Sequence, residues 1–364
     1  MGWFDDKILI SQVKNIIFGG NIMKEFKNLG STEYITREES SEATTISEEK
    51  IMSEILPVTN SNIEKPEDKK YAVLLVAGQS NAVGYDESPI VPGLSCNVND
   101  RVKQLGLYGN DNLKIIPLGP CAQNFQDMRP YGNSQSASGY EGTKGLQLPL
   151  GNLLVNHIPS DYELLVLPCA YGGTAFGSGS YGVMNPNTLR PDNLTAYRWG
   201  VEGVYYKSMV ARLKYVLDLN PSNVFLGTIW IQGEHDKDNV NANKIGFEAM
   251  TNDFFKQMNE GGYANRVKTG KFSKDQWFNV KTVQSWYVDA DSAIGCTQIW
   301  DNYKNWNEST YVDFECDVTL DSNATNGTGK TTLDRSAHFG NDAYYRIVSP
   351  AIYKKMLDNG NILF

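Results

Sequence analysis

The sequence predicts an α/β fold with a central parallel sheet covered on both faces, and three observations carry that expectation. Continuous apolar runs recur at residues 71–77 (YAVLLVA), 162–168 (YELLVLP) and 223–231 (NVFLGTIWI). Segments with apolar residues at helical spacing lie between and after them, as at 145–156, 204–219 and 342–357. Each long run then stops abruptly at glycines and polar residues. Strands that are apolar throughout, rather than alternating, are buried on both faces, which is the condition of parallel strands sandwiched by helices.

Taken in order, residues 1–30 read as a short amphipathic helix over 7–29, with Leu9, Val13, Ile16, Ile17 and Phe26 on one face despite Gly19 and Gly20. Residues 31–70 are rich in Glu, Ser and Thr with little periodicity, which predicts an acidic flexible linker. The domain proper is expected over 71–364. Besides the three long strands, shorter ones are expected at 112–118, 280–283 and 312–314, with a closing helix at 342–357. The Gly- and Asn-rich stretches 110–142 and 172–193 are long for connections, and their place near strand ends predicts pocket walls.

Composition narrows the function classes. The 364 residues contain 41% hydrophobic and 11% aromatic residues, enough for a large buried core, and a net charge of -9. That acidity offers nucleic acid no basic footprint and argues against an anionic membrane as partner. No apolar run has the length of a membrane span, and the acidic start MGWFDDK lacks a basic signal region, so synthesis in the cytoplasm is expected. Five cysteines, at 96, 121, 169, 296 and 316, form no C-x-x-C pair and read as reduced small apolar residues.

The chemistry-bearing residues follow the three long strands. Residues 78–81 (GQSN) place Ser80 just beyond the first strand, either as a nucleophile at the carboxyl edge of the sheet or as an ordinary helix N-cap. Ala82 stands where the G-x-S-x-G elbow has its second glycine, so the ordinary α/β-hydrolase pattern is not met. After the second strand, Gly172 and Gly173 allow backbone N–H groups to approach a ligand; a plain tight turn is the competing reading. After the third, residues 230–236 (WIQGEHD) offer Gln232 as an amide donor to a developing oxyanion, and Glu234 and Asp236 either to orient a histidine or to cap a helix. A metal or acid/base role for His235 with Asp236 and Asp238 carries less weight, because no second histidine stands nearby. Of the three histidines, His157 ends a predicted helix, whereas His338 lies in a late loop ahead of the last helix and is the better base for Ser80.

Together, GQSN at 78–81, the glycine pair, W-x-Q-G-E at 230–234 and S-x-H-F at 336–339 resemble the SGNH (GDSL-like) hydrolases. More narrowly they resemble carbohydrate esterases of the sialate O-acetylesterase type, over about residues 71–350. The resemblance implies a three-layer α/β/α sandwich and hydrolysis of O-acetyl esters on sugars, with no metal and no cofactor. It makes Ser80 the nucleophile and His338 the general base, and it builds the oxyanion hole from the backbone N–H groups of Ser80 and of Gly173 or Gly172 with the Gln232 side chain.

Two positions depart from the pattern. Arg335, not aspartate, lies three residues before His338, so the acid of a triad is Asp334, or Glu234, or none, leaving a Ser–His dyad. Tyr171 stands where sialate esterases tend to carry an arginine, so a sugar carboxylate would fall to Arg198 or Arg335. Gln79, Asn81, Asp127, Tyr171, Arg198 and Arg335 are the candidate substrate-binding residues. The N-terminal helix and linker fit a segment that docks an esterase to a phage tail fibre or tailspike, and a homo-oligomer would be natural there. The competing class is a glycan-binding or structural virion protein that keeps the fold without turnover. The joint presence of Ser80, Gly173, Gln232 and His338 argues against it.

Overall fold

The computed structural model describes residues 69–84, 93–107, 111–119, 144–177, 198–282, 290–314 and 338–362. The segment expected as N-terminal helix lies outside these residues, as do the expected linker up to residue 68, most of the two long loops and the candidates Asp127, Asp334 and Arg335; Lys70, the last residue assigned to the linker, instead opens the first strand.

A six-stranded sheet runs through the protein in the order β3-β2-β4-β1-β5-β6. Its strands are β1 (Lys70–Gly78), β2 (Val102–Leu105), β3 (Ile115–Pro117), β4 (Tyr162–Ala170), β5 (Val224–Ile231) and β6 (Trp277–Asn279). β1 pairs in parallel with β4 on one side and β5 on the other, so it lies in the middle, and residues 72–77 have no exposed surface. That position explains its unbroken apolar sequence.

The sheet is mixed rather than wholly parallel. β3 runs antiparallel to β2, because the 106–114 connection is far too short for the crossover that a parallel neighbour needs. Gly106 and Lys114 close this hairpin by a backbone hydrogen bond of 2.8 Å. The strand expected at 280–283 begins earlier, at Trp277, and Val280 keeps only an isolated parallel bridge to Val312.

Helices flank the sheet. The one-turn α1 (Ser80–Val83) follows β1 directly, α2 is Gln147–Leu154, α3 is Val204–Leu219, α4 is Val240–Glu260 and α5 is Ala290–Trp306. α4 and α5 go beyond the sequence expectation; α4 buries Phe247, Met250, Phe254 and Met258 in one stripe. The closing helix has three parts: α6 (Asn341–Ala343), a π-helical stretch (Tyr344–Val348) and α7 (Ser349–Asp358). Among the described residues, no helix is long and apolar enough to cross a membrane.

Candidate active site

Three strand ends meet at the carboxyl edge of the sheet, and each delivers one of the sequence motifs. Gly78 is paired with Ala170 of β4 and with Ile231 of β5. Beyond the pairing, Tyr171 N–H donates to the Gly78 carbonyl (3.0 Å) and Gln79 N–H donates to the Ile231 carbonyl (2.8 Å). Only glycine fits position 78: its φ is +128°, and a Cβ there would stand 2.0 Å from the Ile231 carbonyl oxygen. β2, β3 and β4 lie on one side of β1 and β5 and β6 on the other, and the carboxyl edge at such a switch in strand order is a usual place for a site in open α/β sheets.

Ser80 opens α1 with 6% of its surface exposed. The N–H groups of Ala82 and Val83 both reach the Gln79 carbonyl, so the turn closes behind the serine. The Ser80 N–H lies in the first turn, where a backbone donor has no intrahelical acceptor. Gly173, at φ +72°, sits in the turn after β4, and neither Gly172 nor Gly173 donates a backbone hydrogen bond to another described residue.

Asn81 ties the late loop to this edge. Its Oδ1 accepts the N–H of Phe339, the residue after His338, at 3.1 Å, and its backbone carbonyl accepts the Tyr344 hydroxyl at 3.1 Å. Its Nδ2 donates to Glu234 Oε1 (2.7 Å) and Thr282 Oγ1 (3.2 Å), and Thr282 donates to the same carboxylate oxygen. Phe339 is buried and meets Tyr344 edge to face, so the stem beside half-buried His338 is held by both hydrogen bonding and packing. Burial pushes the Glu234 carboxyl above its ordinary pKa, with the Thr282 and Asn81 hydrogen bonds pulling the other way.

Several sequence-based roles change. Gln232 has no exposed surface, and its amide is committed inside the protein. Nε2 donates to Asp236 Oδ2 (2.7 Å) and to the Thr174 carbonyl (3.3 Å), while Oε1 accepts from Asn243 and Tyr303, each at 2.9 Å. As placed, it braces the site instead of donating to an oxyanion. Gln79 and Asn81 are likewise buried with their side chains hydrogen-bonded inside the protein. Tyr171 is core: 1% exposed, its ring is stacked on Tyr205 with centroids 4.1 Å apart. Burial raises its hydroxyl pKa. Thr174, Asn243, Thr282 and Tyr303 complete the polar network; none carries a local motif that would have marked it.

His235 has a defined tautomer. Gln79 Oε1 accepts from the N–H groups of Gly233 and His235, so Gln79 Nε2 must donate to His235 Nδ1 at 3.1 Å. The ring is therefore neutral with its proton on Nε2. Burial, aided by the charge of Lys237, pulls its pKa down to about 4. A metal grouping with Asp236 finds no support, since that carboxylate is filled by N–H donors, and among the described residues no three His, Cys, Asp or Glu side chains could hold an ion together. His157 contacts the Tyr353 hydroxyl at 2.5 Å on α7.

Arg198 sits next to Trp199, which is fastened to the turn after β4 by Trp199 Nε1–H to Thr174 Oγ1 (2.8 Å) and Trp199 N–H to the Ala175 carbonyl (3.1 Å). Arg198 Nη1 is buried without a hydrogen-bond partner among the described residues, and burial lowers the guanidinium pKa against the opposing field of Asp236.

The ends of the three central strands thus carry a serine, a glycine pair and an acidic turn, and in sequence and fold the chain is similar to carbohydrate esterases of the sialate O-acetylesterase type. It is 29% identical over 319 residues to the probable 9-O-acetyl-N-acetylneuraminic acid deacetylase of Escherichia coli (strain K12), covering 79% of this chain and 95% of that protein. The crystal structure of NanS matches with a TM-score of 0.62 and 27% identity, over 80% of this chain and 97% of that one. No protein-family model matches the chain.

Proposed function

We propose that this protein is a serine O-acetylesterase that removes acetyl groups from O-acetylated sialic acid or a related acidic surface glycan, on a three-layer SGNH-type fold. The observation that carries the reading is the convergence at Ser80: the glycine turn after β4 is tied to Gly78, and the residue following His338 is tied to Asn81. The named activity of the Escherichia coli relative supplies the substrate class.

In this reading Ser80 Oγ attacks the acetyl carbonyl carbon as His338 takes its proton. The Ser80 and Gly173 N–H groups hold the resulting oxyanion. Collapse breaks the bond to the sugar oxygen, which leaves with the proton from His338. Water, deprotonated by the same imidazole, then releases acetate and restores the serine. The Ser80 hydroxyl makes no hydrogen bond to a described residue, and such bonds often tighten only when substrate closes the site. Arg198, with its buried unpartnered Nη1, is the group suited to a sugar carboxylate.

Acetate release from 4-nitrophenyl acetate and from 9-O-acetylated N-acetylneuraminic acid tests the reading. Ser80→Ala and His338→Ala, each folded by circular dichroism, should lose at least about 10³-fold in kcat. A folded Ser80→Ala protein that retained wild-type turnover would refute the serine mechanism.

A further inference from the structure

Asp236 is a fully buried carboxylate that no step of the proposed reaction uses. It accepts the Phe176 N–H at 3.1 and 3.0 Å, the Gly177 N–H at 2.7 Å, Gln232 Nε2 at 2.7 Å and Asn243 Nδ2 at 3.1 Å. Burial pushes its carboxyl above the ordinary pKa, and the Phe176, Gly177, Asn243 and Gln232 hydrogen bonds pull the other way. An ionised carboxylate has no donor of its own, so it alone among small side chains can gather four separate N–H groups at once.

Those donors come from two places: the loop after β4, and the turn and helix after β5. The loop presses hard on the acceptor. A Cβ on Gly177 would stand 2.5 Å from Asn239 Cβ and 3.0 Å from Asp236 Oδ1, so glycine is required for the contact. On its other side the loop is clamped too. Tyr171 N–H holds the Gly78 carbonyl, Thr174 Oγ1 donates back to the Tyr171 carbonyl (2.7 Å), and the Thr174 carbonyl accepts from Gln232. Gly172 and Gly173 are the two residues between these clamps.

We propose that Asp236, working through Gln232 and the 174–177 backbone, is a positioning residue that fixes where the Gly173 N–H stands relative to Ser80. The inference rests on the reading of Gly173 as an oxyanion donor. A neighbour that only stabilised the fold would alter unfolding without selecting the transition state. A positioning residue weakens tetrahedral binding and leaves ground-state binding alone.

The test is Asp236→Asn, which keeps the shape and withdraws acceptor capacity, in the full chain. The expected result is kcat for the acetylated sugar reduced about 10- to 100-fold with KM within about 3-fold, since moving one donor costs part of what deleting it does. Affinity for an aryl trifluoromethyl ketone, which forms a tetrahedral adduct on Ser80 visible by fluorine NMR, should fall by the same factor. Thr174→Val, which removes the clamp from the other end, should reproduce both effects and serves if Asp236→Asn does not fold. Unchanged kcat and adduct affinity in a folded variant overturn the inference, and so does a fall in kcat without a parallel fall in adduct affinity. A Ser80→Ala protein that stayed active would instead remove the reading on which the inference depends, whatever Asp236→Asn showed.

Discussion

Truncating Asn81 to alanine should uncouple the late loop from the serine, and the size of the effect follows from its hydrogen bonds. The side chain has no exposed surface, donates to the Glu234 carboxylate at 2.7 Å and accepts the buried Phe339 N–H at 3.1 Å. A hydrogen bond to a charged group contributes about 1.5–3 kcal/mol, and an orphaned buried N–H costs about 1–3 kcal/mol. Thr282 still serves Glu234, so the lower end applies on that side, and the expected loss of stability is about 3–4 kcal/mol. Tryptophan-monitored urea unfolding should show a midpoint lower by roughly 1–2 M with an unchanged slope. Turnover under native conditions should fall about 10²-fold, because the residue after His338 loses its anchor. Asn81→Asp sharpens the case: a carboxylate would then face Glu234 Oε1 across the 2.7 Å now spanned by a hydrogen bond. Two such groups share a proton, which raises a carboxyl pKa in the folded state, so that variant should be more stable at pH 5 than at pH 8. An Asn81→Ala protein with the wild-type midpoint and wild-type turnover would refute the reasoning.

Two further outcomes follow from the geometry. Gly78→Ala should yield no folded protein, since the new Cβ would stand 2.0 Å from the Ile231 carbonyl oxygen; a cooperative melt at the wild-type temperature would contradict this. His235→Gln should flatten the acid side of the stability curve. The wild-type imidazole has its pKa lowered from 6.5 to about 4, so the unfolded chain binds a proton that the folded one does not, and stability falls as pH drops through that window. The contribution is at most about 3 kcal/mol, and equal slopes in the two proteins between pH 6.5 and 4 would count against it.

The centre of the fold was legible because burial on both faces leaves few polar residues in a strand. β1, β4 and β5 announce themselves in that way, and the catalytic candidates Ser80, Gly172 and Gly173 stand directly beyond them. The periphery gave weaker signals. β2 and β6 are too short to show a period, and the buried stripe of α4 is diluted by Asn, Lys and Gln on its open face. The surroundings of the site residues were not legible, because they depend on contacts distant in sequence. Gln232 has the right chemistry for an oxyanion donor, but nothing in W-x-Q-G-E reveals that Asp236, Asn243 and Tyr303 already surround its amide. Tyr171 reads as a sugar contact next to two glycines, and only the packing of Tyr205 and Trp199 shows that it faces inward.

The π-helical stretch at Tyr344–Val348 gives the last helix two independent registers. At its first residue, Tyr344 reaches Asn81 and belongs to the serine edge; beyond it, Ile352 and Met356 are buried in the core and Ser349 reaches the Leu146 carbonyl. One α-helical residue turns the helix by about 100°, so deleting a single residue here would restore an ordinary helix and force one of those two faces out of alignment. The extra residue works as a coupling between gears: the core can drift in sequence without turning the tyrosine, and the tyrosine can be held without dictating the core.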